Sequence, residues 1–414
     1  MMEEKLPMGW TQTKLKEVLS VKNGYAFKSQ DFKDYGIPVI RISNIQDGQV
    51  LIQNSAMVPE ELFKKNFVVE RGDILVAMSG ATTGKYGIYN ESEIALQNQR
   101  VGNLKPNTDK VSKKFIFYLL GNLKKEIEDV AYGAAQPNIS AKMIEELEFL
   151  LPPLLEQQRI VAKLDALFGH LDSLREKLDG IPTLLKNFRQ QVLTQAVTGE
   201  LTREWREGKG LEEWEETTIG SLFEVKTGGT PRRGVKEYYE GGTIPWVKSG
   251  LVKNELIFEA DELITEIAIR DSNVKIFPVD TLLVAMYGEG KTRGQVGWLK
   301  IEATTNQAIA ALVNETMPTI TRTYVFYYCL SQYNDIRAKA EGGNQPNLNL
   351  SKVKNWDISM PPLEEQKEIV SQVDALFSMA DKIESQYDSL KAKIDQLPQA
   401  ILAKAFRGEL VNVD

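Results

Sequence analysis

Two stretches of the chain place apolar residues at regularly alternating steps of three and four. The first runs from Ile160 to Val192 and the second from Ile369 to Ile401. A 3.5-residue period held over more than four heptads is typical of a coiled-coil seam, and not of a helix lying on a globular core. The residues predicted to form the seam are Ile160, Leu164, Leu167, Leu171, Leu174 and Leu178 in the first stretch, and Ile369, Val373, Leu376, Ile383, Tyr387 and Leu390 in the second.

Each predicted helix has a signal at both ends. Pro152-Pro153 and Pro361-Pro362 suit a sharp entry, and Gly199 and Gly408 suit a helix end. Joined by a whole intervening domain, the two helices would most simply pack antiparallel. The resulting rod would measure about 48 Å from Ile160 to Val192, at a rise of 1.5 Å per residue.

Pro182 and Pro398 fall inside the apolar pattern. An interior proline costs about 3 kcal/mol or more, because it removes a hydrogen bond and clashes with the preceding turn. Each buried seam residue contributes roughly 1.5–3 kcal/mol before entropy is subtracted. The seam outweighs two prolines, so we expect kinks at these positions and not breaks.

The helices belong to an internal repeat. Three motifs recur at one offset of 209 residues, and looser matches precede them at offsets of 204 to 209. A constant offset indicates a segment of fixed length, whereas a drifting offset is typical of loops that diverge on a retained scaffold. The fixed motifs are Pro152–Gln157 with Pro361–Gln366, Asp165–Phe168 with Asp374–Phe377, and Gly199–Leu201 with Gly408–Leu410; the looser matches include Trp10 with Trp214, Gly24 with Gly228, Asn98-Gln99 with Asn306-Gln307, and Gln136-Pro137-Asn138 with Gln345-Pro346-Asn347.

This repeat predicts two variable domains that alternate with two spacer helices. Short β-rich runs such as Ile37–Ile42 and Asp73–Met78, followed by a helical stretch at Phe115–Leu120, predict a mixed α/β (α+β) fold for the variable domains. The fold class is therefore a tandem repeat of two mixed α/β domains separated by two long antiparallel coiled-coil helices. The predicted boundaries are 1–151 and 202–360 for the variable domains, and 152–201 and 361–414 for the helices.

Composition narrows the function classes. A length of 414 residues suits two or three domains. One cysteine and one histidine exclude a disulfide framework and a cysteine–histidine zinc site. No apolar run is long enough for a membrane span and no signal peptide is recognisable, so we expect a soluble cytoplasmic protein. The net charge of −7 does not argue against nucleic-acid binding, because phosphate affinity depends on a local basic face.

Repeat-equivalent loops carry the candidate DNA contacts. Basic and hydroxyl side chains in the loops Ser79–Tyr86 and Tyr287–Arg293 suit phosphates and base edges, and the amides of the Gln-Pro-Asn motifs suit adenine. The alternative for the first pattern is a solvated surface loop, and helix capping by Asn138 or Ser140 explains the second pattern equally well. The residues predicted to bind DNA are Lys22, Tyr25, Lys28, Arg41, Ser79, Thr82, Thr83, Lys85, Tyr86, Gln136 and Asn138 in the first domain, and Lys226, Arg232, Arg233, Lys248, Tyr287, Lys291, Thr292, Arg293, Gln345 and Asn347 in the second.

No motif indicates catalysis. The run Gly288–Thr292 resembles part of a phosphate loop, but Ala285 stands where a Walker A motif needs its first glycine. The chain has no glycine-rich dinucleotide fingerprint, and Asp31-Phe32-Lys33 is a triplet that arises by chance in any charged chain. We therefore expect no catalytic residues and no bound metal.

Two variable domains, two equal-length helices beginning Pro-Pro-Leu-x-Glu-Gln, and a Gln-Pro-Asn ahead of each helix resemble the specificity subunit of type I restriction-modification systems. The resemblance covers essentially the whole chain. It implies that each variable domain is a target-recognition domain for one half of a bipartite site in double-stranded DNA. It also implies that the helices set the spacer and dock two methyltransferase subunits, and that motor-nuclease (restriction) subunits complete the complex.

The same resemblance implies that this chain binds no cofactor itself. S-adenosylmethionine, ATP and Mg²⁺ are expected on the partner subunits. Divergence between the two variable domains implies that the two halves of the DNA site differ. Three alternatives remain at this stage: a generic dimerisation coil, a two-headed adaptor that binds two proteins, and a nuclease or NTPase.

The heptad pattern makes one prediction about geometry. Removal of seven residues from the first helix keeps its phase and shortens the predicted rod by about 10 Å, at 1.5 Å per residue. We expect the variant to prefer a different spacer length in a DNA methylation assay with the methyltransferase partner. An unchanged spacing preference would refute the idea that the helices act as a ruler.

Overall fold

The computed structural model describes residues 7–46, 48–131, 137–288, 292–336 and 348–411. The chain divides into two units. The first consists of Met1–Asp179 with Asp388–Asp414, and the second of Gly180–Tyr387. Each unit therefore combines one α/β domain with one part of each spacer helix.

In the first unit, the described strands form three sheets. The sheet orders are β1-β12, β6-β3-β10-β7 and β2-β11-β8-β9-β5-β4. The strands are β1 (Thr11–Lys14), β2 (Leu19–Asn23), β3 (Ile37–Ile40), β4 (Ile45–Gln46), β5 (Gly48–Val50), β6 (Ala56–Val58), β7 (Val68–Val69), β8 (Ile74–Ala77), β9 (Tyr86–Tyr89), β10 (Ala95–Gln97), β11 (Val101–Pro106) and β12 (Glu148–Leu151); the helices are α1 (Lys113–Asn122), α2 (Lys124–Ala131), α3 (Ala141–Glu145) and α4 (Leu154–Asp179).

The second unit repeats this topology. Its sheet orders are β13-β23, β17-β15-β21-β18 and β14-β22-β19-β20-β16, and among the described residues it lacks a counterpart of β4. The strands are β13 (Glu215–Thr218), β14 (Glu224–Thr227), β15 (Ile244–Val247), β16 (Glu255–Ile257), β17 (Glu262–Ile264), β18 (Ile276–Phe277), β19 (Leu282–Ala285), β20 (Val296–Leu299), β21 (Ala303–Thr305), β22 (Ile309–Val313) and β23 (Asp357–Met360); the helices are α5 (Ile181–Val197), α6 (Arg203–Arg206), α7 (Ile219–Leu222), α8 (Glu266–Asp271), α9 (Thr319–Ser331), α10 (Leu350–Lys354) and α11 (Leu363–Phe406).

Equivalent strands pair in the same sense in both units. β3 runs parallel to β10, as β15 does to β21, and β5 runs parallel to β9, as β16 does to β20. The central strands β8 and β19 are buried along their whole length, which explains why their sequences are continuous apolar runs without alternation. The predicted mixed α/β class and the internal repeat are therefore confirmed.

The spacer helices begin and end close to the predicted signals. Leu154 and Leu363 follow the Pro-Pro pairs directly. Gly199 and Gly408 both have φ near +77°, the left-handed conformation in which glycine commonly ends a helix. Helix α11 continues through Pro398 without interruption.

The expectation of a kink without a break at Pro182 is wrong. Helix α4 ends at Asp179 and α5 begins at Ile181. Gly180 keeps helical backbone angles (φ −77°, ψ −23°), so the interruption is short. Proline in the first turn of α5 has no N–H to donate, and an exposed glycine before it adds conformational freedom.

Within each unit the two spacer segments run antiparallel. In the second unit Arg189 lies 2.7 Å from both Asp381 and Glu384, while Thr202 further along the chain bonds to the earlier Glu365 at 2.8 Å. In the first unit Arg175 lies 3.9 Å from Asp395. The predicted antiparallel pairing is confirmed within each unit.

The predicted seam is buried unevenly. Leu164, Leu171 and Leu178, seven residues apart, are 0%, 5% and 9% exposed, whereas Leu174 is 45% exposed. In the second stretch Ile369 and Val373 are buried, Leu376 and Tyr387 are half-buried, and Ile383 and Leu390 are exposed. Ile160 and Ile369 lie in the cores of their α/β domains. The column of Leu164, Leu171 and Leu178 is thus buried, and its counterpart in the second stretch is buried at Val373 and half-buried at Tyr387. The other column is buried mainly where a domain also packs against it.

The repeated helix motifs attach each helix to the α/β domain of its own unit. In the first unit the Tyr118 hydroxyl on α1 donates to Asp165 at 2.5 Å, and the Tyr118 ring stacks on Phe168 with centroids 5.5 Å apart. In the second unit Tyr327 on α9 donates to Asp374. Burial and the neighbouring carboxylate both raise the pKa of Tyr118, so its hydroxyl remains a donor at neutral pH. The Asp-Ala-Leu-Phe motif therefore fixes the helix to the domain.

Gln157 makes the same kind of attachment at the start of α4. Its side chain is fully buried, accepts from the Ser112 N–H (3.0 Å), and donates to the carbonyls of Lys110 (3.1 Å) and Pro152 (2.9 Å). The equivalent Gln366 donates to the Pro361 carbonyl at 2.7 Å. This glutamine explains the last position of the Pro-Pro-Leu-x-Glu-Gln motif. Within the described parts of the chain, no helix is long and apolar enough to cross a membrane.

The Gln157 contacts make a prediction about stability. Gln157→Leu keeps the side-chain volume but removes the partner of three backbone groups, of which the Pro152 carbonyl is buried. A buried group left unsatisfied costs about 1–3 kcal/mol. We expect the thermal midpoint of the first unit to fall by at least about 4 °C. The matched control is Gln158→Leu at the neighbouring exposed position. Equal midpoints for the two variants would contradict the attachment role.

Candidate nucleic-acid interface

The loop of residues 98–100, between β10 and β11, is the centre of a polar surface in the first unit. The Asn98 N–H donates to the Ile40 carbonyl of β3 at 3.0 Å, and the Gln99 N–H donates to the Tyr25 carbonyl at 3.0 Å. These bonds bring the loops that follow β2 and β3 to the same edge as the loop that follows β10.

The other side of this surface is built by the loop after β8. The Arg100 carbonyl accepts from the Met78 N–H at 2.9 Å, and the Met78 carbonyl accepts from the Ile139 N–H at 2.9 Å. The Gly80 N–H donates to the Pro137 carbonyl at 3.0 Å. We call this set of loops the first loop surface; it comprises residues 24–28, 41–43, 79–83, 98–100 and 137–138.

The second unit builds its equivalent in the same way. The Asn306 N–H donates to the Val247 carbonyl at 3.0 Å, and the Gly229 N–H donates to the Thr305 carbonyl at 2.9 Å. The Met286 N–H donates to Ala308 at 2.8 Å. We call this set the second loop surface; it comprises residues 228–233, 248–250, 271–273 and 306–308.

A shared glycine explains why the two surfaces have one scaffold. A Cβ atom on Gly24 would lie 2.2 Å from the Asn98 carbonyl oxygen, and one on Gly228 would lie 1.9 Å from the Thr305 carbonyl oxygen. Both distances are far inside van der Waals contact. Only glycine allows the backbone to approach so closely at this point, which accounts for the repeated Gly24 and Gly228.

The side chains on this shared scaffold differ. The side-chain oxygens of Asn98 and Asn306 each accept from the backbone N–H two residues later, so these asparagines shape the turn. The residue at that later position is the exposed Arg100 in the first unit and Ala308 in the second. The two surfaces therefore offer different chemistry at an equivalent position.

Each loop surface contains a cleft lined in part by polar side chains. The cleft of the first unit has a volume of about 430 Å³ and is lined by Arg41, Ser43 and residues 98–100, among others. That of the second unit is about 580 Å³ and is lined by residues 228–230, Arg232, residues 271–273 and Gln307, among others. In the second cleft the Thr230 hydroxyl donates to the Gln307 side chain.

Several residues predicted to bind DNA lie exposed in the first unit. Lys22, Lys28, Lys85 and Asn138 are exposed. Tyr25 is at the surface with the Lys64 ammonium 5.4 Å from its ring centroid. Arg41 is half-buried with its guanidinium carbon 5.7 Å from the centroid of the Phe32 ring.

Others in the same loops face the interior. Thr83 is buried and donates to the Gly80 carbonyl at 2.7 Å. Tyr86 packs against Phe117 with ring centroids 5.3 Å apart, and burial raises the pKa of Tyr86 to about 12. Among the described residues, the buried hydroxyls of Ser79 and Thr82 have no hydrogen-bond partner. The Thr83 and Tyr86 side chains therefore stabilise the loop and do not form part of its outer surface.

In the second unit, acidic neighbours neutralise part of the predicted basic surface. Lys226 forms an ion pair with Glu224 at 2.6 Å. Arg233 and Lys248 both donate to Glu262, at 2.6 and 2.5 Å. These hydrogen bonds lower the pKa of Glu262, which keeps the carboxylate charged at neutral pH.

The other residues predicted to bind DNA are exposed, half-buried or outside the described residues. Arg232 and Tyr287 are exposed, and Thr292 and Arg293 are half-buried. Gln136, Lys291, Gln345 and Asn347 lie outside the described residues. Helix capping, the alternative explanation for this region, is observed just after each Gln-Pro-Asn motif. Ser140 caps the N-terminus of α3, and Asn349 caps the N-terminus of α10.

Sequence reasoning missed Gln99, Arg100, Gln307 and Lys64 as surface residues. The repeated Asn98-Gln99 and Asn306-Gln307 pairs were visible as a repeat anchor, but nothing in their sequence indicates that the glutamines project from a turn at a sheet edge. The position of Lys64 over Tyr25 depends on a tertiary contact that no local pattern predicts.

Comparison with known proteins identifies one family. The model for the type I restriction modification DNA specificity domain matches residues 7–183 and again residues 211–392. The specificity subunit of the type I restriction enzyme EcoBI from Escherichia coli is 30% identical over 424 residues, which cover 97% of this chain and 86% of that protein. The StySPI specificity subunit from Salmonella potsdam is 27% identical over 430 residues, with 98% and 90% coverage.

Solved structures share the fold. The crystal structure of the HsdS subunit from Thermoanaerobacter tengcongensis has a TM-score of 0.64 at 19% identity and covers 99% of both chains. A structure described as the structural basis of complex assembly and conformational transition of the type I R-M system has a TM-score of 0.69 at 19% identity, covering 98% of this chain and 99% of its own. At this identity the likeness concerns the fold alone.

The Glu262 contacts make a prediction about the charge of the second loop surface. Glu262→Gln removes the carboxylate that neutralises Arg233 and Lys248, so we expect tighter retention of the full chain on a polyanionic heparin column. Glu266→Gln on α8, at an exposed position, removes the same charge and is the matched control. If both variants elute at the same salt concentration, retention depends only on the total charge of the chain, which would contradict the prediction.

Proposed function

We infer that this chain, which belongs to the family of the type I restriction-modification DNA specificity domain, is the subunit that determines which DNA sequence a type I restriction-modification complex recognises. The observation that carries this inference is the double match to the DNA specificity domain. The chain covers 86% of the EcoBI specificity subunit and 90% of the StySPI specificity subunit, so the likeness extends over both recognition domains and both spacer helices.

Each loop surface reads one half of a bipartite DNA site. Sequence is read by side chains that reach base edges, and arginine pairs bidentately with guanine while glutamine pairs with adenine. The exposed Gln99 and Arg100 supply these groups in the first unit, and Gln307 with Thr230 supplies them in the second. Because Arg100 stands where the second unit has Ala308, the two half-sites differ in sequence.

Phosphate contacts position each surface on the duplex without reading sequence. In the first unit Lys22, Lys28 and Lys85 are exposed cations suited to this role. In the second unit Arg232 is exposed, whereas Arg233 and Lys248 share Glu262. The first unit therefore contributes more of the salt-dependent affinity.

The spacer helices hold the two readers at a set separation. We assign residues 1–151 and 202–360 to target recognition, and 152–201 and 361–414 to the spacer. The 44-residue helix α11 contributes residues to both units, and each unit fixes its spacer segments through the Tyr118–Asp165 or Tyr327–Asp374 contact.

The chemistry belongs to other polypeptides. We assign methylation to two methyltransferase subunits that dock on the spacer helices, and cleavage to restriction subunits that join the complex. S-adenosylmethionine, ATP and Mg²⁺ then bind those partners, and this chain has no catalytic residues of its own. The two-headed protein adaptor is disfavoured, because the matched family is defined by DNA specificity.

The test of this function is sequence-specific retention. The chain is assembled with its methyltransferase partner and bound to its target duplex in the presence of competitor DNA at moderate salt. We expect a scrambled duplex of equal length to compete at least a thousandfold less well than the target. Equal competition would refute the recognition role. ATP or DNA turnover by the purified chain alone would refute the assignment of chemistry to partners.

Two substitutions in the first unit distinguish residues that read bases from residues that contact phosphates. Arg100→Gln removes a base-reading group, so we expect a loss of about 1–3 kcal/mol on the target and relaxed preference at one base pair. Lys22→Gln removes a phosphate contact, so it should weaken binding to all sequences and reduce the slope of log affinity against log salt by about 1. The measurement is binding of each variant complex to a panel of single-base target variants. Identical profiles for the two variants would contradict the division of roles.

A further inference from the structure

Glu365, in the Pro-Pro-Leu-x-Glu-Gln motif of the second unit, is completely buried and fully partnered. Its carboxylate accepts from the Trp214 indole N–H at 2.9 Å and from the Thr202 hydroxyl at 2.8 Å. The Arg206 guanidinium lies 3.2 Å from the same carboxylate. One indole, one hydroxyl and one guanidinium thus satisfy a buried negative charge at the start of α11.

The first unit has equivalents of Glu365 and Trp214, but the polar groups around them differ. Glu156 stands where the second unit has Glu365, and Trp10 stands where it has Trp214. The surrounding scaffold is also repeated: a Cβ on Gly408 would lie 3.5 Å from the Trp10 ring, as one on Gly199 would lie 3.2 Å from the Trp214 ring.

Two buried polar atoms of the first unit, one on Glu156 and one on Trp10, have no partner within the described part of the chain. Glu156 is 8% exposed and Trp10 is 4% exposed. Among the described residues, neither the Glu156 Oε1 atom nor the Trp10 Nε1 atom has a hydrogen-bond partner. Val411, at the position equivalent to Thr202, has no hydroxyl to donate. As far as the structure describes the first unit, a carboxylate oxygen and an indole N–H are therefore buried without the groups that satisfy their equivalents.

A buried carboxylate without a partner is costly, because it loses its hydration and gains no compensating bond. In the second unit the guanidinium of Arg206 compensates for this cost at the equivalent carboxylate, Glu365. The planar guanidinium is the cation best suited to a buried carboxylate, since it donates several hydrogen bonds in a fixed geometry.

We propose that Glu156 and Trp10 form an acceptor site for an arginine side chain supplied by a partner protein. Upon binding, the carboxylate accepts from the guanidinium and from the Trp10 indole N–H, as Glu365 does within the second unit. This inference rests on the proposed function, which makes the partner the methyltransferase subunit that docks on the spacer helices.

The neighbouring residue favours a protein as the occupant. Leu155, directly before Glu156, is 73% exposed, whereas the equivalent residue of the second unit is Glu364. Leu154 beside it is also exposed. An exposed leucine pair next to a buried, unpartnered carboxylate has the composition of an interface anchor, in which apolar contact surrounds a desolvated arginine.

Glu156→Gln and its matched control Glu365→Gln test whether the partner of Glu156 lies within this chain or on another protein. In the free full chain, Glu365→Gln breaks an existing network, so we expect its thermal midpoint to fall by several degrees. Glu156→Gln removes an unpartnered buried charge, so its midpoint should stay the same or rise. A fall for Glu156→Gln as large as that for Glu365→Gln would overturn the proposal, because it would place the partner of Glu156 within the chain.

Assembly with the methyltransferase subunit is the second measurement. We expect Glu156→Gln to weaken the complex at least tenfold and Glu365→Gln to weaken it less than twofold. Leu155→Glu, which copies the residue of the second unit at an exposed position, should also weaken it. Normal assembly of Glu156→Gln would overturn the proposal while leaving the proposed function intact. Failure of the wild-type chain to assemble would instead overturn the proposed function.

A small cation tests the site without any partner. The full chain is labelled with 5-fluorotryptophan, and Trp10→Phe assigns one of its six tryptophan signals. We expect methylguanidinium to shift the Trp10 signal saturably, potassium at equal ionic strength to leave it in place, and Glu156→Gln to abolish the shift. A Trp10 signal that responds equally to both salts would overturn the proposed specificity for a guanidinium.

Discussion

The attachment of each spacer helix to the α/β domain of its own unit is the interaction on which the rest of this structure depends. Tyr118 and Tyr327 donate to Asp165 and Asp374 at repeat-equivalent positions, and Gln157 ties the start of α4 to backbone groups of the domain. A hydrogen bond between a tyrosine hydroxyl and a carboxylate has a narrow range of allowed geometry. It therefore fixes the rotation of the helix relative to the sheets, and with it the direction in which each loop surface faces.

In each loop surface, residues that the two units share lie only a few positions from residues that differ between them. Gly24 and Gly228 allow the same close backbone approach, and Asn98 and Asn306 shape the same turn. Two residues after each asparagine, the first unit has Arg100 and the second has Ala308. This arrangement allows the recognised bases to change without a change in fold, since the backbone bonds that hold the loop do not involve the side chains that face outward.

Much of the architecture could be predicted from the sequence, because its signals are local or repeated. The heptads predicted the spacer helices, Gly199 and Gly408 predicted their ends, and the repeat with its motifs predicted the family, which is confirmed. The burial of each seam residue could not be predicted, since the period of a helix does not reveal what covers it: Leu171 is buried and Leu174 is exposed. The seam alone could not predict the break beside Pro182, because Gly180, two residues earlier, adds conformational freedom to the backbone.

The surface residues were harder to predict for a similar reason. Thr83 and Tyr86 belong to the loop predicted to bind DNA, but tertiary contacts turn both side chains inward. Glu262 lies on a strand 29 residues after Arg233 in sequence, yet it neutralises that arginine and Lys248. Whether a charged residue is available to a phosphate depends on such distant neighbours, which composition and spacing do not reveal.

The central proposal is that two different readers recognise two different halves of one DNA site, and that the spacer helices set the number of base pairs between the halves. The most direct test is to modify DNA with the complex of this chain and its methyltransferase partner, and to map every methylated adenine together with its flanking sequence. The account predicts two short, different sequence blocks separated by a constant number of unspecified base pairs. A single continuous block, or two blocks with a variable gap, would contradict it.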